Sequence, residues 1–233
     1  MKRLTRAGIA ALIDHTVLAP DTGPSQIDRA CDEAQEHGFF AVCVAPTWVR
    51  RAVSQLAGSR AVVASVVGFP HGNTLSAVKA FETQQVVAAG AAEVDMVLNV
   101  GLLKAGQERL VAADVAAVLE RAGGRPLKVI LETALLTDAE KERACVIAVD
   151  AGAAFVKTST GFSSAGASVS DVARMRRIVG PDLGVKASGG IRTLAQALAL
   201  LEVGANRLGC SRSVSIVSGL PPSATPPVPR EQS

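Results

Sequence analysis

Tyrosine is absent from this 233-residue sequence, and six Phe and one Trp supply all of its aromatic bulk. Core volume must therefore come from Val, Leu, Ile and abundant Ala, and no phenol can take part in a reaction. Histidine is also scarce. The three residues, His15, His37 and His71, form no HxH, HxxxH or His–carboxylate grouping of ligand spacing, so metal catalysis lacks its ligands and no cofactor is expected. The four cysteines, Cys31, Cys43, Cys145 and Cys210, lie far apart with no CxxC pair. That spacing suggests neither a zinc ribbon nor a disulfide scaffold, and it fits a reduced, cytoplasmic protein. No apolar run reaches the roughly 18–20 residues that cross a bilayer, and residues 1–13 are basic and broken by charge, unlike a signal peptide. A strong excess of basic over acidic residues is missing too: 24 Lys and Arg against 21 Asp and Glu leave a formal net charge of +3, far from the concentrated basic field of a nucleic-acid binder.

What is present is a globular pattern, 48% hydrophobic, at a length that suits one α/β barrel or one doubly wound sheet. Short β-branched runs at residues 39–45, 61–68, 93–99, 127–132, 154–159, 183–188 and 206–210 read as strands, with a first strand expected at residues 9–15. Between them the apolar positions change to helical spacing, as in Leu194, Leu198 and Leu201. Thr137-Asp-Ala-Glu140 and Thr193-Leu-Ala-Gln196 fit capping boxes, and Ser25 and Ser168 or Ser170 are further candidate starts. Gly38, Gly90, Gly152 and Gly204 each precede re-entry into a strand, as left-handed helix caps do. Eight strands with one recurring crossover unit favour an eightfold (β/α)8 TIM barrel over an open sheet. We expect one barrel domain over residues 1–218. Residues 219–233 hold five of the eleven prolines and read as a flexible tail.

In a parallel barrel, chemistry belongs at the C-terminal ends of strands, so the informative residues are polar ones that close an apolar run. Asp14-His15-Thr16, Cys43, Asp95, Glu132-Thr133 and Gly209-Cys-Ser211 all fit. Two matching segments stand out, residues 156–161 and 185–190, both reading Val-Lys-x-Ser-x-Gly. Each sets a lysine (Lys157, Lys186) in an apolar strand where an ammonium is costly to desolvate, then brings glycine to the loop. Two ammonium heads close together disfavour each other's protonated form, and burial adds to the effect, so one becomes a neutral amine able to attack a carbonyl. The plainer alternative has both lysines snorkelling or paired with carboxylates. Asp95, in a strand otherwise of Val, Met and Leu, is the candidate acid–base group, unless it is a plain ion-pair partner. Lys128 opens its strand instead of closing it and is expected at the opposite rim in a salt bridge. Cys43 has no basic neighbour in sequence and reads as a wall residue, and His37 complements a helix end. The turn through Gly189 and Gly190 into a helix, and the next strand end at Gly209-Cys-Ser211-Arg212, read as two consecutive anion-binding loops.

These motifs resemble the deoxyribose-phosphate aldolase family of class I aldolases over roughly residues 8 to 218. The resemblance runs through Ile-Asp14-His-Thr-Val-Leu, Val42-Cys-Val-Ala-Pro46, Val67-Gly-Phe-Pro-His-Gly-Asn73, the strand Glu93 to Gly101, Lys128 to Thr133, Phe155-Val-Lys-Thr-Ser-Thr-Gly161 and Val185-Lys-Ala-Ser-Gly-Gly-Ile-Arg192. It implies a Schiff base on Lys157, with Lys186 lowering its pKa and Asp95 working with water as acid and base. It implies phosphate contacts from Gly161, Gly189, Gly190, Arg192, Gly209 and Ser211, with Thr16 and Cys43 near the sugar. The implied reaction is reversible cleavage of 2-deoxy-D-ribose 5-phosphate to D-glyceraldehyde 3-phosphate and acetaldehyde, in deoxyribose phosphate catabolism, by a cytoplasmic homodimer or homotetramer. The sequence departs from the pattern at Phe162, where some members carry a lysine, at Cys210, and at Arg212, a candidate to replace that charge. It also lacks the C-terminal tyrosine of some members. The alternatives are another Schiff-base phosphosugar aldolase or transaldolase, or a catalytically silent phosphosugar-binding barrel.

Overall fold

A computed structural model of the chain describes residues 5–220. Eight parallel strands close into a barrel in sequence order: β1 (Ile13–Val17), β2 (Ala41–Val44), β3 (Val62–Val67), β4 (Glu93–Val97), β5 (Leu127–Ile130), β6 (Phe155–Lys157), β7 (Gly184–Ser188) and β8 (Arg207–Cys210), with β8 paired back to β1. Both faces of such strands are covered, which is why they read as continuous apolar runs and not as alternation. The helices are α1 (Arg6–Ala10), α2 (Pro24–His37), α3 (Val49–Gln55), α4 (Ser76–Ala88), α5 (Val100–Lys104), α6 (Glu108–Ala122), α7 (Asp138–Asp150), α8 (Val169–Val179), α9 (Leu194–Glu202) and α10 (Ser213–Ser218). One large apolar cluster fills the space between strands and helices, and a small one of Ala41, Cys43, Ala64 and Val66 lines the lumen at β2 and β3.

The local signals act largely as their chemistry requires. Thr137 and Thr193 cap α7 and α9 as reciprocal capping boxes, and Ser168 accepts from Asp171 N at the start of α8. Ser25 caps nothing, because Gly23 is the cap of α2 and Pro24 its first residue. His37 stands in the last turn of α2, and Gly38 follows in the left-handed conformation. The first strand differs from expectation. Ile9 and Ala10 belong to α1, capped by Thr5, and pairing begins at Ile13 and runs on to Val17. At the other end, Leu220 packs on the core and its carbonyl accepts from Arg6 Nη2 at 2.6 Å, so Gly219 and Leu220 go with the barrel. The rest of the expected tail, residues 221–233, lies outside the described residues.

Strand alternation decides what enters the lumen. Asp14 and Thr16 of β1, Glu93 and Asp95 of β4, Lys128 of β5, Phe155 and Lys157 of β6, Lys186 and Ser188 of β7, and Arg207 and Gly209 of β8 all share that face. The register aligns Asp95 with Lys128, and Lys157 with Lys186. A Cβ on Gly184 would stand 2.0 Å from Phe155 Cδ1, so glycine there makes room for the Phe155 ring at the base of the lumen.

Candidate active site

Among the described residues the lumen holds seven charged side chains, and six of them close a ring of alternating sign. Asp14 Oδ1 accepts from Arg207 Nη1 at 2.9 Å, and the same Nη1 lies 3.0 Å from Glu93 Oε2. Lys128 Nζ joins Glu93 Oε2 to Asp95 Oδ1, both at 2.7 Å. Lys186 Nζ donates to Asp95 Oδ2 at 2.7 Å and to Asp14 Oδ2, which closes the circuit. Three cations and three carboxylates thus balance, in a place where an unpaired charge costs several kcal/mol. The Arg207 guanidinium also lies 3.6 Å over the Phe40 ring, which seals the base.

Lys157 is the seventh member and has no carboxylate of its own. Its Nζ lies 2.8 Å from Asp95 Oδ2, an oxygen already engaged by Lys186. Burial lowers its pKa, the Lys186 ammonium lowers it further, and the attraction of Asp95 does not make up the difference. For Lys128 and Lys186 burial acts the same way, but the carboxylates flanking each of them win and hold both above the usual lysine value. Asp95 resists burial because Lys128, Lys157 and Lys186 surround it, and it stays well below the usual carboxylate range. Asp14 is likewise lowered, chiefly by Lys186 against its own burial. The surplus positive charge therefore falls on Lys157, the one lumen lysine whose pKa is lowered. Of the three lumen lysines, it alone lines the cavity at the mouth.

That cavity, of about 390 Å3, opens at the C-terminal ends of the strands and brings together Thr16, Lys157, Gly161, Gly189, Gly190, Arg192, Gly209 and Ser211. Asp95 and Lys186 lie beneath its floor, fully buried. Gly161, Gly189 and Gly190 have φ of 89°, 83° and 75°, in the left-handed region that glycine adopts without strain, and a Cβ on Gly189 would stand 3.1 Å from Gly166 Cα. Gly209 serves packing as well as access, because a Cβ there would stand 2.9 Å from Ser188 Cβ and 3.1 Å from Lys186 Cε. Two expectations need correction. Cys43 is absent from the cavity wall. It is fully buried in the lumen, and burial raises its thiol pKa. Lys128 is salt-bridged as expected, but inside the lumen, on the same Asp95, and not at the opposite rim. Asp14 is drawn into the ring and Arg212 into the cavity wall. Phe162 also lines the cavity, edge-on to Phe69 at 5.4 Å. Glu93 and Arg207 stand 114 residues apart, so no local pattern marks them as a charge pair.

Fold and site together define a barrel aldolase, built around a buried lysine at the mouth. The family model described as DeoC/LacD family aldolase matches residues 9–216, and the chain belongs to that family. A protein of Listeria monocytogenes serotype 4a named deoxyribose-phosphate aldolase is 54% identical over 216 residues, which is 92% of this chain and 97% of that one. A Brevibacillus brevis protein of the same name is 56% identical over 207 residues, 89% of this chain and 94% of its own. Among solved structures, the tetrameric deoxyribose phosphate aldolase of Aeropyrum pernix superposes with a TM-score of 0.87 at 31% identity, covering 92% of each chain. Among the described residues no helix is long and apolar enough to cross a membrane, and no group of three or more His, Cys, Asp or Glu is placed to hold a metal ion.

Proposed function

We propose that this chain is a class I aldolase that reversibly cleaves 2-deoxy-D-ribose 5-phosphate to D-glyceraldehyde 3-phosphate and acetaldehyde. The carrying observation is the surplus amine: among the described residues, Lys157 is the only lumen cation without its own carboxylate, and it faces the cavity. The neutral Nζ attacks the aldehyde carbon C1 of the open-chain sugar, and loss of water leaves a protonated imine. Removal of the C3 hydroxyl proton then breaks the C2–C3 bond. Its electron pair passes into the imine to give an enamine on Lys157, and the C3 fragment leaves as the phosphorylated aldehyde. Protonation at C2 and hydrolysis release acetaldehyde and restore the amine. Asp95 and Lys186, joined at 2.7 Å, supply and accept these protons through water in the cavity.

The phosphate sits against Gly161, Gly189, Gly190, Gly209 and Ser211, with positive charge from Arg192 and Arg212, and Thr16 lies by the sugar. The start of α9 adds its dipole there. Cys43 borders the two lysines inside the lumen. The family and the close relatives support a role in deoxyribose phosphate catabolism in the cytoplasm, by a homodimer or homotetramer, with the barrel as the catalytic unit. Incubation with acetaldehyde and borohydride, followed by peptide mapping, tests the reading. Reduction should fix a two-carbon adduct on Lys157, whereas an adduct on Lys128 or none at all would sink it.

A further inference from the structure

Outside the lumen, the fold holds a buried titratable group that the aldol chemistry leaves unused. His15 follows Asp14 on β1, so alternation turns its imidazole away from the lumen, toward α2 and the start of α10. Its Nε2 lies 2.7 Å from Glu33 Oε2, and its Nδ1 lies 2.9 Å from Ser213 Oγ. That same Oγ lies 2.9 Å from the Cys210 carbonyl oxygen. The hydroxyl has one proton to give, and the carbonyl has none. With a neutral ring, Nε2–H donates to Glu33 and the Ser213 hydroxyl donates to Nδ1, so the Cys210 carbonyl loses that donor. With a protonated ring, Nδ1–H donates to Oγ and the hydroxyl turns to Cys210. Protonation thus reverses the hydrogen bond and gives the Cys210 carbonyl its Ser213 donor across the turn between β8 and α10. The two residues inside this turn, Ser211 and Arg212, both line the mouth cavity.

We propose that His15 is a positioning residue for phosphate recognition, acting through Ser213 to draw the turn of residues 210–213 closed and to hold Ser211 and Arg212 against the phosphate. The proposal rests on reading the mouth cavity as the phosphate site. The groups facing His15 are few. From α2 come Glu33, with Arg29 Nε 3.9 Å beyond it, and His37; the Phe39 ring lies 5.3 Å away; α10 gives Ser213 and β8 the Cys210 carbonyl. Burial pushes the imidazole below its usual value, and the Glu33 carboxylate opposes it, so the reversal falls on the acid side of 6.5.

The test compares kcat/KM for 2-deoxy-D-ribose 5-phosphate with kcat/KM for unphosphorylated 2-deoxy-D-ribose, from pH 5 to 8. It uses the wild type, His15→Asn, Glu33→Gln and Ser213→Ala. Referring each protein to Ser213→Ala at the same pH cancels the titration of the phosphate itself. The phosphate preference of the wild type should rise about threefold on acidification, the scale of one neutral hydrogen bond, and should appear in KM and not in kcat. Glu33→Gln should move that rise to lower pH, because the imidazolium loses its carboxylate. His15→Asn, whose amide donates at every pH, should keep the higher preference throughout. If it does not fold, the wild type, Glu33→Gln and Ser213→Ala still decide the matter. Parallel profiles in all proteins would overturn the role of His15 while leaving the phosphate site in place. A wild-type preference near one at every pH would overturn the phosphate site itself.

Discussion

Lys79 and Lys157 are both buried, both hydrogen-bonded to an aspartate and both held below the usual lysine pKa by burial. Only one of them is placed to react. Lys79 runs from α4 to Asp114 of α6 at 2.5 Å and to the Val97 carbonyl at 2.9 Å, a one-to-one pair fully buried in the helical layer. Lys157 shares an aspartate with two other lysines and meets the mouth of the barrel. Burial and a lowered pKa therefore do not single out a nucleophile. A charge in excess of its counter-charges, together with access for a substrate, does.

The two lysines should break in opposite ways. Lys157→Met removes the amine that attacks the substrate and should lower aldol cleavage by about 10⁴-fold or more in steady-state assays. Stability should change by less than about 1 kcal/mol in urea, because the six-membered ring keeps its balance. Lys79→Met should do the reverse. It strands the Asp114 carboxylate and should cost about 3–5 kcal/mol in the same urea titration, while kcat of the folded fraction stays at the wild-type value. A double variant, Lys79→Met with Asp114→Leu, should recover most of that loss; no recovery would mean that the pair is not what holds α4 to α6. Lys128→Met tests the charge count directly. With one ring cation gone, Lys157 is no longer in surplus and keeps its proton to higher pH. Activity at neutral pH should fall roughly tenfold and return as pH is raised, and Lys128→Arg should behave as wild type. The smallest effect belongs to the rim, where Arg192→Ala should raise KM for the phosphorylated sugar severalfold and leave kcat within about twofold.

The contrast also separates what a sequence displays from what only the fold assembles. Seven of eight strands, the capping boxes at Thr137 and Thr193, and the paired Val-Lys-x-Ser-x-Gly segments are local patterns, and each was readable where it stands. Lys157, Lys186 and Asp95 follow because a charged residue inside an apolar strand is conspicuous by itself. The first strand was displaced because Ile9 and Ala10 are apolar enough for a strand or a helix, and the Thr5 cap tips them into α1. The ring was not legible. Arg207 meets Asp14 across 193 residues and Lys186 meets it across 172, and only closure of β8 onto β1 brings them together. Lys128 was misplaced for a related reason: it lies level with Asp95 in the register, and its long chain carries Nζ up to that carboxylate. The role of Lys157 as the odd charge could be counted only once all seven groups were in view.

The central claim is that the Lys157 pKa is lowered because the other six charges balance without it. The most direct measurement is the pH dependence of borohydride-trapped imine formation with acetaldehyde at Lys157, followed by mass spectrometry in the wild type and in Lys128→Met. The account predicts an apparent pKa for trapping below 10.5 in the wild type, displaced upward in Lys128→Met and restored in Lys128→Arg. The same pKa in the wild type and in Lys128→Met would contradict it.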